Sequence, residues 1–171
     1  MKIKKHPWRW IFIGLTLLWM VFIFLMSEAP ADLSDRTSGR LVNFVQQVFY
    51  RKWDALEPAD WEKQMWQLHY LLRKIAHFTE YIILGADLSL ILMTFEKPFS
   101  FRFLTGFFAG VLYAVSDEFH QTFVAGRDGA VFDVCIDAGG VFVGVLLVLG
   151  IFAMAEADRS RKRSLLQHMR S

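Results

Sequence analysis

Four apolar runs, residues 10–26, 75–95, 101–124 and 130–154, decide what this chain can fold into. Each is close to the roughly 20 residues that an α-helix needs to cross the ~30 Å hydrocarbon core of a bilayer. Inside hydrocarbon every backbone N–H and C=O must be satisfied within the protein, so runs of this kind become helices. The expected fold is all-α: a polytopic membrane protein of four transmembrane helices, forming one domain over residues 1–171. Composition agrees, with 54% hydrophobic and 16% aromatic residues and a mean hydropathy of +0.32, above what soluble domains usually carry.

A net charge of +2 offers no broad basic surface for nucleic acid, and only the placement of charge is informative. Lys2, Lys4, Lys5 and Arg9 precede the first run, and Arg159, Arg161, Lys162 and Arg163 follow the last. The positive-inside rule therefore predicts that both termini are cytoplasmic. The first run has a second reading, as a signal peptide ending near Ala29-Pro30-Ala31, but its length and its Trp10 and Trp19 favour an uncleaved span. Cys135 has no partner for an internal disulfide and reads as a small buried hydrophobe.

Residues 28–74 are mixed in composition and predict an outer loop with short interfacial helices. Leu41, Phe44, Val45, Val48 and Phe49 fall on one helical face. Trp61, Met65, Leu68 and Leu72 fall on another, after Asp60 as an N-cap.

Ionisable residues then appear inside the apolar runs, where they are costly unless they face protein or water. Arg73, His77, Glu80, Leu84 and Asp87 recur at helical spacing on the second run. Gly106, Gly110, Tyr113, Asp117, His120 and Gln121 share a face of the third, and Asp133, Asp137, Gly140 and Gly144 share one on the fourth. At about 1.5 Å per residue, Glu80, Asp117 and Asp137 come to one depth, with His77, His120 and Asp133 just above them. Arg73, Lys74 and Arg127 form a cationic rim over that level, and Asp87 lies deeper.

Acids outnumber bases below the rim, which points to a cavity opening outward rather than to simple ties between helices. Its candidate acid and base groups are His77, Glu80, Asp117 and His120. Arg73, Lys74, Glu118, Gln121, Arg127, Asp133 and Asp137 are candidate substrate contacts, the cations suited to phosphate. His77, Glu80, Asp117, His120, Asp133 and Asp137 together would suit a first-row divalent metal. Ion pairs from Arg73 or Arg127 would satisfy the same acids without an ion, so the cofactor stays open. No HExxH, CxxC or serine-nucleophile motif fixes a reaction class.

The stretches RKIAHFTEYIILG, from Arg73 to Gly85, and YAVSDEFHQTFVAGR, from Tyr113 to Arg127, followed by Asp133 and Asp137, resemble the VanZ-like family. Ser27, Ser34 and Ser38 fit that family's serine-containing loop, and Ala125 stands where it often carries proline. The resemblance implies a multi-pass protein of the bacterial cell membrane, linked in its namesake to reduced susceptibility to the lipoglycopeptide teicoplanin. It adds Tyr81 to the candidate substrate contacts. The expected function is to bind or modify a lipid-linked or lipid-tailed molecule at the outer leaflet, such as a cell-wall precursor or a lipoglycopeptide. A small proton-coupled transporter using Asp87 and a non-catalytic membrane scaffold are the alternatives.

Overall fold

The computed structural model describes residues 7–28, 58–125, 127 and 129–169. Among them the elements are four helices: α1 (Trp8–Glu28), α2 (Pro58–Met93), α3 (Phe99–Gln121) and α4 (Val131–His168). All four are long and apolar enough to cross a membrane. Large side chains such as Trp10, Leu18, Leu112, Phe119 and Leu147 point outward, the surface that lipid rather than water suits.

Three sequence boundaries move. The second interfacial helix merges with the second span into α2, because residues 59–84 contain neither proline nor glycine to interrupt it. Asp60 consequently sits in the first turn of α2, where its charge complements the helix N-terminus, instead of capping from outside. Likewise α4 runs past residue 154 through the basic tail to His168, again with no breaker on the way. The third helix stops at Gln121, three residues early, in a tight turn closed by the N–H groups of Phe123 and Val124. The earlier amphipathic stretch, Leu41 to Phe49, lies outside the described residues, as do Ser34, Ser38 and Asp128.

The bundle is built around α2 and α4. With lipid outside there is little hydrophobic force to bring helices together, so close backbone approach through small residues does the work. A Cβ on Gly144 would lie 2.9 Å from the Ala86 backbone nitrogen, and one on Gly140 would lie 3.0 Å from Tyr81 Cβ. From the other side, a Cβ on Gly85 would come within 3.0 Å of Val141 Cα. Helix α3 closes on the same place, with Gly110 opposite the Val141 side chain. Tyr81, Leu84, Ala114, Val141 and Val145 are fully buried where the three helices meet. Cys135 is exposed on the outer face of α4, not buried as its surroundings in the sequence suggest.

Helix α1 lies against this core and is fastened by polar bonds. Trp19 Nε1 donates to the Glu80 carbonyl at 2.9 Å, and the Tyr113 hydroxyl donates to the Met20 carbonyl at 2.6 Å. At its first turn Arg9 donates through Nε and Nη2 to the Thr94 hydroxyl and carbonyl, both at 2.9 Å, and lies over the Phe95 ring. The second of these bonds satisfies the Thr94 carbonyl, left open just past the C-terminus of α2. Arg9, the turn after α2 and the basic end of α4 therefore share one end of the bundle, and the motif residues collect at the other.

Candidate functional site

The polar end is organised by Asp117. One of its oxygens, Oδ2, accepts from Ser27 Oγ at 2.9 Å, from Gln121 Nε2 at 3.1 Å and from the Tyr81 hydroxyl at 3.3 Å. Donors from α1, α2 and α3 thus converge on one carboxylate, and all four residues are buried. Ser27, marked by the loop resemblance alone, is in fact in the last turn of α1. Arg127, on the connection after α3, donates to Gln121 Oε1 at 3.4 Å and to the Met26 carbonyl at 3.1 Å. Burial and the nearby Arg73 guanidinium push Arg127 below its ordinary value, while Asp117, Glu118 and Glu80 pull it back; a guanidinium stays cationic throughout.

One residue along, Glu118 points elsewhere. At about 100° per residue it turns away from Asp117 toward α4, where it accepts the Ala130 N–H at 3.1 Å. Ala130 precedes α4 and no side chain caps that helix from its own sequence. The Glu118 carboxylate supplies the missing acceptor and places negative charge at a helix N-terminus. Gly129 allows this approach, because a Cβ there would meet the Thr122 side chain and the Glu118 carbonyl.

His120 is turned about 60° to the other side of Asp117 by the same geometry. Its ring packs on Phe24 of α1, with centroids 4.5 Å apart, and it stands outside the converging group of His77, Glu118 and Asp137. His77 and Asp137 do meet: Nδ1 and Oδ1 are 3.9 Å apart, and Asp137 is completely buried. A ring nitrogen of His77 and carboxylate oxygens of Glu118 and Asp137 all lie within 4.8 Å of one another. The metal-suited residues that converge are therefore His77, Glu118 and Asp137, rather than the six that depth alone grouped. Glu80 stays within electrostatic reach of Asp117 and Arg127, and its backbone carbonyl holds Trp19.

Above this group Lys74 forms an ion pair with Asp133 across α2 and α4. Among the described residues Lys74 thus takes a pairing role that the sequence offered to Arg73 or Arg127. Arg73 has no carboxylate partner among the described residues. A cavity of about 310 Å³ opens here, with Arg73, Lys74, His77, Gln121, Arg127 and Asp133 in its wall and Trp66, Tyr70 and Phe132 around it. Trp66 and Tyr70 stack at 5.6 Å on the extended part of α2. Without that continuation, which the sequence divided into loop and span, the cavity would keep only Phe132 of its aromatic lining.

Asp87 is separate from all of this. It borders a groove beside α1 lined by Leu15, Leu18, Trp19, Val21, Phe22 and Leu25. Leu84, Val141 and Val145 fill the centre of the bundle.

Neither a curated protein nor a solved structure matches the sequence. A protein-family model does, that of VanZ/LLP1, over residues 12–153. This range takes in all the converging side chains and leaves out only the two charged ends, so the chain belongs to the VanZ/LLP1 family of membrane proteins.

Proposed function

We propose that this protein binds the phosphate-bearing headgroup of a lipid-linked or lipid-tailed envelope molecule at the outer leaflet, and through it contributes to resistance to teicoplanin-type lipoglycopeptides. The observation that carries the reading is the cavity wall, in which Arg73, Lys74 and Arg127 gather beside aromatic Trp66 and Tyr70. Guanidinium groups match phosphate oxygens in pairs, and Lys adds a mobile point charge. Trp and Tyr favour the interface where a headgroup sits, and the apolar surface below would accommodate its tail. With the basic ends of α1 and α4 cytoplasmic, the cavity opens on the opposite side, toward the outer leaflet. His77 and the carboxylates beneath would face the bound phosphate, positioned for proton transfer or for electrostatic control of the headgroup.

The transport alternative needs a polar route from this cavity toward Asp87. The apolar packing of Leu84, Val141 and Val145 fills that space, so binding is the better-supported reading.

Protein in nanodiscs, titrated with a polyprenyl phosphate and with phosphatidylcholine as the neutral comparison, tests it. A hydrogen bond to a charged group contributes about 1.5–3 kcal/mol, so Arg73→Gln and Arg127→Gln should each weaken polyprenyl phosphate binding by roughly 10- to 150-fold. Equal affinity for the two lipids, or no loss in the double variant, would overturn the proposal. Expression of the same variants in a sensitive bacterial host should lose any teicoplanin protection in parallel.

A further inference from the structure

We propose that His77, Glu118 and Asp137 form a divalent metal site, with one ligand from each of α2, α3 and α4. Mixed charges at a helix end do not make a site by themselves. Here a second observation points to a ligand: Asp137 has zero exposure, and neither of its carboxylate oxygens has a hydrogen-bond partner, nor does His77 Nδ1 beside it. A buried carboxylate with both oxygens unpartnered is rare, because it loses hydration and gains nothing in return. No cation is bonded to Asp137 among the described residues: Lys74 pairs with Asp133, Arg127 bonds to Gln121 and Met26, and Arg73 lies above in the cavity wall. Glu80, Asp117, Glu118 and Asp133 all lie within electrostatic reach of Asp137. An ion of charge two answers the unpartnered oxygens and the crowding of acids together.

The donor set narrows the choice of metal. One imidazole nitrogen with two carboxylate oxygens suits zinc or a neighbouring first-row ion, whereas magnesium and calcium favour oxygen and water alone. In a tetrahedral site with ligands at about 2.1 Å, neighbouring donor atoms are about 3.4 Å apart. The present spread of up to 4.8 Å exceeds that by about 1.4 Å, a gap on the scale of side-chain rotation. Glu118 is already fixed by the Ala130 N–H, the kind of supporting bond that holds a ligating carboxylate in place. Three protein ligands leave a fourth position open. His77 also lines the cavity, so that position faces the space assigned above to phosphate. Only the identity of this fourth ligand rests on the phosphate reading.

The test uses full-length protein purified in detergent through a histidine-free tag, stripped with chelator and titrated with Zn²⁺ alone. About one equivalent should bind and raise the thermal unfolding temperature, as any ligand specific to the folded state does. Co²⁺ in its place should give the visible absorption of a tetrahedral nitrogen–oxygen site. His77→Ala, Glu118→Gln and Asp137→Asn should each weaken Zn²⁺ binding beyond the roughly 10- to 100-fold typical of losing an outer supporting residue, while His120→Ala keeps it. Wild-type protein that binds no stoichiometric Zn²⁺ overturns the site whether or not a variant folds. So does unchanged affinity in folded His77→Ala or Glu118→Gln. Zinc binding with no polyprenyl phosphate binding would leave the metal site standing and remove the phosphate reading, and the converse result would do the reverse.

Discussion

Replacing Gly144 with alanine places the new Cβ 2.9 Å from the Ala86 nitrogen and nearer still to the Ile82 carbonyl. Ordinary contacts of this kind begin near 3.5 Å. Both obstacles are backbone of α2, which cannot rotate aside, so α4 must shift by about 1 Å or tilt. Overpacking of this sort costs about 1–3 kcal/mol, and rigid neighbours put Gly144→Ala at the upper end. Alanine returns up to about 1 kcal/mol through its better helix propensity, for a net loss of about 2 kcal/mol. Gly150→Ala on the same helix gives the control, since nothing lies within 4 Å of its Cβ; it should be neutral or slightly stabilising. Reversible unfolding in mixed detergent micelles, followed by circular dichroism, measures both. The shift should also widen the 3.9 Å approach of His77 to Asp137 and lower affinity at the polar end. If the two variants agree to within about 0.5 kcal/mol, the spread expected of an inconsequential surface change, the packing argument fails.

Two further outcomes follow from the geometry. Ser27→Ala removes one of the three bonds to Asp117 Oδ2 and should cost about 1 kcal/mol, the scale of interhelical hydrogen bonds in membranes, with Ser27→Thr recovering part of it; equal stability of all three proteins would contradict the assigned bond. In a Cys135→Ala background, needed because Cys135 is exposed, cysteines at Ser38 and Gly126 should react with an impermeant maleimide in intact cells and one at Ser160 should not, and the reverse pattern would invert the topology.

The spans and the polar faces were legible in the sequence because each depends on one helix alone. Apolar length marks a span, and spacing of three and four residues marks a face. The same logic found Gly106, Gly110, Gly140 and Gly144. Relations between helices were less accessible, since a single sequence leaves the rotation of one helix against another free. His120 and Glu118 show the consequence: both are within three residues of Asp117, yet packing sends one to α1 and the other to α4. Backbone acceptors leave no sequence signal at all, so the bonds from Trp19, Tyr113 and Arg127 to carbonyls are visible only in the structure. The role of Gly85 depends on its partner, which is the backbone of another helix at Val141. The continuity of α2 is written in the absence of glycine and proline over residues 59–84, a signal that the mixed composition before residue 75 obscures.

The fastening of α1 has a consequence for how the sequence can drift. Arg9, Trp19 and Ser27 make its side-chain attachments to α2 and α3, while the α1 carbonyls of Met20 and Met26 receive Tyr113 and Arg127. A carbonyl is present whatever residue carries it. Register along α1 is thus written partly in what it packs against, and the helix itself resembles a ruler with a few engraved marks. Its lipid-facing positions, including Leu15, Leu18 and Leu25, should accept almost any apolar residue, whereas inserting a single residue between Arg9 and Ser27 would rotate the marks by about 100° and unfasten one end or the other.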